Sequence, residues 1–408
     1  MRKEVLISFF ENFLFTKKSN QCQIRNFFIP MLLTKNECRY GDRNRRCEWK
    51  MANGKHIFAK KNRIMRALLA SMLIVASLAA NAQPDKWSSK KYFTVMSYNV
   101  ENLFDTLDAA GKDDVEFTPT GKKEWTAERY HTKLSHLADV ICWMNPDRTQ
   151  FPDIVGIIEV ENISVLRDLA AQRALKGVGY ECILEEGPDP RGIDCGLMYN
   201  PQTFKYVSHK SFTVKLRPSN QRTRDILYVK GLSGKDTLHV FVNHWPSRIG
   251  GKEKTENKRA QCADRLKEIT DSIIKRDPQC NILIMGDMND EPDDESVLNI
   301  LGAKSTTQYA RLNNIMYQLQ QAGKGKYGHG TYYYKGEYSM LDNLIVSNPL
   351  LTRTSGFRLY EPTGYIFAPD FISFKESNGD IAPSRSYSGK YYGGYSDHYP
   401  VYMIFYKK

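Results

Sequence analysis

The stretch Ile282-Leu283-Ile284-Met285-Gly286-Asp287-Met288-Asn289-Asp290 decides how the rest of the chain is read. Four consecutive apolar residues make a strand that is buried on at least one face. Glycine then breaks the run, and a carboxylate and an amide follow at once. Alone, this is an ordinary turn, because Gly, Asn and Asp favour turns. The same pattern recurs outward in both directions, and the recurrence carries the weight. Phe93–Tyr98 runs into Asn99-Val100-Glu101-Asn102, and Ile154–Ile158 runs into Glu159. Leu238–Val242 runs into Asn243-His244-Trp245-Pro246-Ser247-Arg248. Leu341-Asp342-Asn343 opens a further strand, and Ser396-Asp397-His398-Tyr399-Pro400 precedes the last, Tyr399–Phe405. Cys195–Tyr199 is another apolar run. Between the runs, Trp125–Trp143 carries Leu134, Leu137, Ala138 and Ile141 at helical spacing, and Lys258–Ile274 carries Cys262, Leu266, Ile269 and Ile273. Strands interspersed with helices in one long unit predict an α/β layered fold. The polar stretch Asp108–Lys123 reads as a surface loop. Strand ends in a layered sheet share one rim, and ligands bind at such rims.

The residues at those ends have a common chemistry. Carboxylates such as Glu159 and Asp397, together with asparagine amide oxygens, are hard ligands that suit Mg²⁺, Mn²⁺ or Ca²⁺ rather than zinc. His244 and His398 can hold phosphate oxygens or move protons. Arg248 offers a planar fork for a phosphate. The inventory fits in-line attack of water on phosphorus, with a metal neutralising the developing charge.

The ordered set S-Y-N-V-E-N, I-I-E, N-H-W-P-S-R, G-D-M-N, L-D-N and S-D-H-Y-P resembles the endonuclease/exonuclease/phosphatase family, over about Phe93 to Phe405. The resemblance implies a four-layer α/β sandwich, with two central mixed sheets flanked by helices. It implies metal binding by Glu159 and Asp397, with Asn99 near the metal and Glu101 where relatives often carry an acid. His244 matches a phosphate-contacting histidine. Asp287 matches the aspartate that activates or orients water, and Asn289 its neighbouring contact. Asp342 matches the partner of His398, which acts as base or phosphate ligand. Arg191, in the stretch Arg191-Gly192-Ile193-Asp194, has two readings open: it reaches the rim and binds substrate, or it closes a turn as an ion pair. The stretch Tyr387–Tyr395 also has two, stacking bases or sugars (with Tyr395 as the contact) or packing on itself as a surface loop.

Charge narrows the class of partner. The 408 residues hold 58 Lys and Arg against 46 Asp and Glu, a formal net charge of +12. Met1 to Ala82 accounts for 16 of the basic and 5 of the acidic residues, which leaves 42 against 41 beyond it. The basic character belongs to the leader and argues against a general electrostatic grip on long polyanions by the body. Within the leader, Met65-Arg66, the apolar run Ala67–Ala80 and Ala80-Asn81-Ala82 are the parts of a secretory signal peptide, and the run is too short to span a bilayer. The expected organisation is an extension over 1–64 from an upstream start codon, a signal peptide over 65–82, and a single domain over 83–408. The mature chain is expected to be periplasmic or secreted, monomeric and without stable membrane insertion. Five cysteines lie in the body, with no C-x-x-C pair. Three functions are consistent with these residues. The first is a divalent-metal-dependent nuclease or phosphodiesterase. The second is a phosphatase or phospholipase C-like enzyme on an inositol, sugar or lipid phosphate. The third is a binding protein on the same fold that has lost catalysis. The third is the weakest, because each motif position still carries a competent residue.

Overall fold

The computed structural model describes residues 91–144, 151–218, 221–323 and 330–407. The expected extension and signal peptide lie outside the described residues. Two seven-stranded mixed sheets form the centre. The first contains β1 (Tyr92–Leu103), β2 (Ile154–Val160), β3 (Glu181–Leu184) and β4 (Asp194–Tyr199), with the strands Val401–Tyr406, Arg358–Leu359 and Tyr365–Ile366 on the far side of β1. The second contains β5 (Lys205–Phe212), β6 (Ile226–Ser233), β7 (Asp236–His244) and β8 (Asn281–Asp287), followed by Asp342–Ser347, Leu312–Asn314 and Ala303–Ser305. β1 runs parallel to β2, and β7 runs parallel to β8. Their carboxyl ends therefore point the same way within each sheet.

Period-two alternation assigns the faces. Phe93 and Val95 of β1 join Val240, Val242, Leu283, Met285 and Leu344 in the core between the sheets. Met96 and Tyr98 turn to the other side and pack under α1 (Ala127–Trp143) and α2 (Ile163–Ala170), through Leu134, Leu137, Ile141 and Leu166. On the opposite flank, Phe241, Ile282 and Ile284 meet Cys262, Ala263 and Leu266 of α3 (Lys252–Arg276). The result is helix, sheet, sheet, helix, the four layers expected. α1 starts where Thr126 caps it by accepting from the Arg129 N–H, and Asn162 caps α2 by accepting from Ser164 and Val165.

The structure adds elements that the apolar runs did not announce. β5 is largely exposed, so its sequence lacks an apolar run, and it is held by its ladder with β6. α3 begins six residues before the expected helix. The loop Asp108–Lys123 contains only one short 3₁₀ turn, Val115–Phe117, with Phe117 stacked on Phe104. All five body cysteines are free thiols. Among the described residues, no helix is long and apolar enough to cross a membrane.

Candidate active site

The polar strand ends converge because β1 and β2 break their ladder at the same level. Asn99 pairs with Ile158, but the next pair is Leu103 with Val160. In that interruption Glu101, Asn102 and Glu159 take φ values of 52°, 53° and 68°. Non-glycine residues seldom adopt the left-handed region, and such strain gathers at functional sites. At this interruption the Glu159 side chain reaches across to β1. Its Oε2 accepts from the Asn102 N–H at 2.9 Å, and its Oε1 accepts from Asn99 Nδ2 at 3.1 Å.

The second sheet supplies the facing groups. Asn99 Nδ2 also donates to Asp287 Oδ2 at 3.1 Å. Gly286 has φ 138°, and a Cβ there would lie 2.0 Å from the Asn243 carbonyl oxygen. Only glycine lets β8 pass that close before Asp287 turns in. The Asn289 N–H then donates to Asp287 Oδ1 at 2.8 Å, and Asn289 Nδ2 donates to the Trp245 carbonyl at 3.0 Å. His244 places Nε2 3.5 Å from Glu159 Oε1 and 3.8 Å from Asp287 Oδ2. His398 places Nε2 3.7 Å from the same Asp287 oxygen, while its Nδ1 lies 2.7 Å from Asp342 Oδ2. Ser396 ties the last loop to the first strand: its hydroxyl donates to the Asn99 carbonyl and accepts from the His398 N–H.

The two histidines are held in opposite states. Burial lowers the affinity of His244 for a proton, and the Arg224 and Arg191 cations reinforce the effect, so it stays neutral. Burial also opposes a charge on His398, but the Asp342 and Asp287 carboxylates outweigh it and hold this imidazole well above its ordinary value. Burial pushes Asp287 up to about 7, with His398 opposing and Asp342 adding to the rise. Asp397 is likewise raised to about 7, by burial first and then by Glu101, with His398 pulling the other way.

A divalent cation fits this set. One donor atom each from Glu159, His244 and Asp287 lies within 4.8 Å of the others. Two ligands of an octahedral ion at about 2.1–2.4 Å stand at most about 4.2–4.8 Å apart. The set is two carboxylates and one neutral imidazole, a mix of hard oxygen and borderline nitrogen.

Asn99, Glu159, His244, Asp287, Asn289, Asp342 and His398 thus meet at one place, and Asp397 is close enough to feel the charges of Glu159 and His398. Three other expected residues are engaged elsewhere. The Glu101 carboxylate accepts from the Ser386 N–H, the Ser386 hydroxyl and the Tyr387 N–H, and it lies 3.7 Å from the buried Lys133 ammonium. These partners tie it to the Ser386–Tyr387 turn, and its charge is felt by Asp397. Arg248 donates to the Asn289 carbonyl at 2.6 Å and pairs with Asp294 at 2.9 Å, so its fork is spent on pinning the turn after Asp287. Tyr395 stacks on His136 at 4.6 Å and meets Phe371 edge-on, so its ring serves the outer layer and not the rim. Arg191 keeps an ion pair with Asp189 at 3.5 Å, yet its charge is felt by His244. Two contributors carried no motif. Arg224 braces the Trp245 carbonyl at 2.5 Å, and Tyr332 lays its ring against His398 at 4.8 Å. In the sequence Tyr332 is marked only as the first of three consecutive tyrosines, Tyr332–Tyr334.

A family model described as the endonuclease/exonuclease/phosphatase family matches residues 94–407. Among solved structures, zebrafish (D. rerio) TDP2 complexed with single-strand DNA product is similar at 16% identity and TM-score 0.45, covering 77% of this chain and 98% of that one. The human Nocturnin catalytic domain with bound sulfate anion is similar at 16% identity and TM-score 0.46, covering 78% and 95%. An endonuclease/exonuclease/phosphatase family protein from Bacteroides thetaiotaomicron is similar at 16% identity and TM-score 0.46, covering 78% and 98%. No curated protein matches the chain.

Proposed function

This chain belongs to the endonuclease/exonuclease/phosphatase family, and on that premise we propose that it is an exported, divalent-metal-dependent phosphodiesterase of the nuclease type. The observation that carries the reading is the convergence of Asn99 Nδ2, His244 Nε2 and His398 Nε2 on Asp287 Oδ2, from both sheets and the last loop.

A bound Mg²⁺, Mn²⁺ or Ca²⁺ would be held by Glu159 with Asp287 and His244, and it would supply charge neutralisation at the phosphoryl oxygens. The remaining work falls to side chains. Asp287 orients the attacking water and takes its proton. The Asn289 N–H holds Oδ1 and Asn99 Nδ2 holds Oδ2, which fixes the carboxylate toward the site for that role. Asn99 spans Glu159 and Asp287 and keeps the two carboxylates at a fixed separation. Asp342 fixes the His398 ring through Nδ1, so Nε2–H points at the reacting centre as a charged donor for the developing negative charge. His244, neutral, presents a lone pair at Nε2. Asp397, expected at the metal, feels the charges of Glu101, His398 and Glu159 and would add its carboxylate there.

The test uses the chain from Gln83 with each metal and an EDTA control. Substrates are single- and double-stranded DNA, RNA, nucleotides, inositol phosphates and sphingomyelin. Metal-dependent cleavage of the polynucleotides supports the nuclease reading. Turnover confined to small or lipid phosphates replaces it with the phosphatase or phospholipase C-like reading, and no turnover with any metal refutes both. Export is tested by fractionating cells that express the full chain and finding whether the product outside the cytoplasm begins at Gln83.

A further inference from the structure

We infer that the recess lined by Arg191, Arg222, Arg224 and Lys258 binds a second phosphate group of the substrate, next to the one being cleaved. The inference rests on the phosphoester-hydrolase reading above and adds a preference for substrates with more than one phosphate.

The recess has a volume of 390 Å³ and opens between the turn before β4, the segment before β6 and the start of α3. Four cations line it, and the only acid among its lining residues is Asp189. Asp189 is already fully used: Oδ1 accepts from the Arg191 N–H and faces its Nε, and Oδ2 accepts from Arg224 Nη1 at 3.1 Å. The remaining positive charge is uncompensated locally, although the domain as a whole is nearly neutral. Arg191 is 46% exposed at the lip. Arg224 sits at the floor, only 6% exposed, with Nε unpartnered, and beside it Thr223, 2% exposed, has an unpartnered hydroxyl. Buried polar atoms without partners are uncommon, and two together on a cationic floor are what an oxyanion satisfies.

The recess also adjoins the reaction centre. Arg224 Nη2 donates to the Trp245 carbonyl, which also accepts from Asn289 Nδ2. Trp245 directly follows His244 in the chain. A phosphate in the recess would thus lie on the His244 side of the scissile group. An arginine fork matches a phosphate's oxygens, and Lys258, whose ammonium donates to Gln221 Oε1 at 2.7 Å, adds a further positive charge.

The experiment compares three kinds of substrate with the chain from Gln83 in saturating Mn²⁺. They are bis(p-nitrophenyl) phosphate, with one phosphate, an unphosphorylated dinucleotide, and the same dinucleotide carrying a terminal phosphate on either end. The wild type is expected to favour one terminally phosphorylated form by roughly tenfold in KM. Arg222→Ala, at an exposed position, and Lys258→Ala, at a partly buried one, are expected to erase that preference and to lower the salt dependence of its KM by about one unit of slope. Neither should change kcat on bis(p-nitrophenyl) phosphate. Inorganic phosphate should compete with the phosphorylated dinucleotide more strongly than with the one-phosphate diester. Equal inhibition of both would place free phosphate at the reaction centre and overturn the inference. So would a wild type indifferent to the terminal phosphate, or variants that lose all three activities equally. A wild type inert toward bis(p-nitrophenyl) phosphate and both dinucleotides would refute the hydrolase reading itself, and the subsite with it.

Discussion

Each side chain at the site is useful because of what its neighbours deny it. Asp342 is fully buried, and its Oδ2 is committed to His398, so the imidazole keeps its charge where burial alone would remove it. Asp342→Asn keeps a hydrogen-bond acceptor but removes the charge. It is expected to lower kcat by about 100-fold or more while the melting temperature moves little, as measured on bis(p-nitrophenyl) phosphate. Glu159→Gln should preserve the acceptor for Asn102 while weakening the ion's hold. The expected outcome is a ~100-fold loss of turnover that rising metal concentration recovers in part, read from a metal titration. Unchanged kinetics in either variant would remove that residue from the mechanism. Glu101 shows how a residue can satisfy a motif and still do different work. Its position in N-V-E-N is right, but past the left-handed turn at Glu101 and Asn102 its carboxylate meets Ser386 and Lys133, 285 and 32 residues away.

At the scale of elements, the site is an assembly of strand ends, and one glycine sets the approach of two of them. Gly286→Ala would force a methyl into the Asn243 carbonyl at a backbone angle hostile to side chains. It is expected to cost roughly 3 kcal/mol or more in denaturant unfolding, and to abolish activity even where the protein stays folded. The strands that carry the site were legible because they are buried runs of Ile, Val, Leu and Met that stop at a polar residue, as at Met285-Gly286-Asp287. β5 was not legible, because its residues face water and its place comes from pairing with β6. The rim residues were legible by type and order, whereas their division of labour was not. Nothing local in N-H-W-P-S-R says that Arg248 turns away to Asp294, and nothing in the segment before β6 says that Arg224 will brace Trp245. Those outcomes depend on partners about 20 to 50 residues distant.

Over the whole molecule, the apolar sandwich supplies the rigidity and the far end of the second sheet supplies a pH limit. His239 on β7 is half-buried opposite Lys230, with Asp277 nearby and the Tyr228 hydroxyl 2.8 Å from its Nδ1. Burial, then Lys230, lowers its pKa to about 4, against an ordinary 6.5. In that window the unfolded chain binds the extra proton and the folded chain does not, so this contribution is complete above about 6.5 and is lost as pH falls toward 4. His239→Phe should flatten that part of the stability curve, seen as a smaller fall in melting temperature between pH 6.5 and 4.5. A curve of unchanged slope would assign the acid limit to other groups. The first sheet has a further consequence, one of timing. Its central strand β1 is flanked on one side by Val401–Tyr406, from the other end of the domain. Such distant pairing makes the closing step late and slow. A chain still emerging from the ribosome lacks both that strand and His398, so the rim where Asp287, His244 and His398 meet forms only after β1 has gained its late partner.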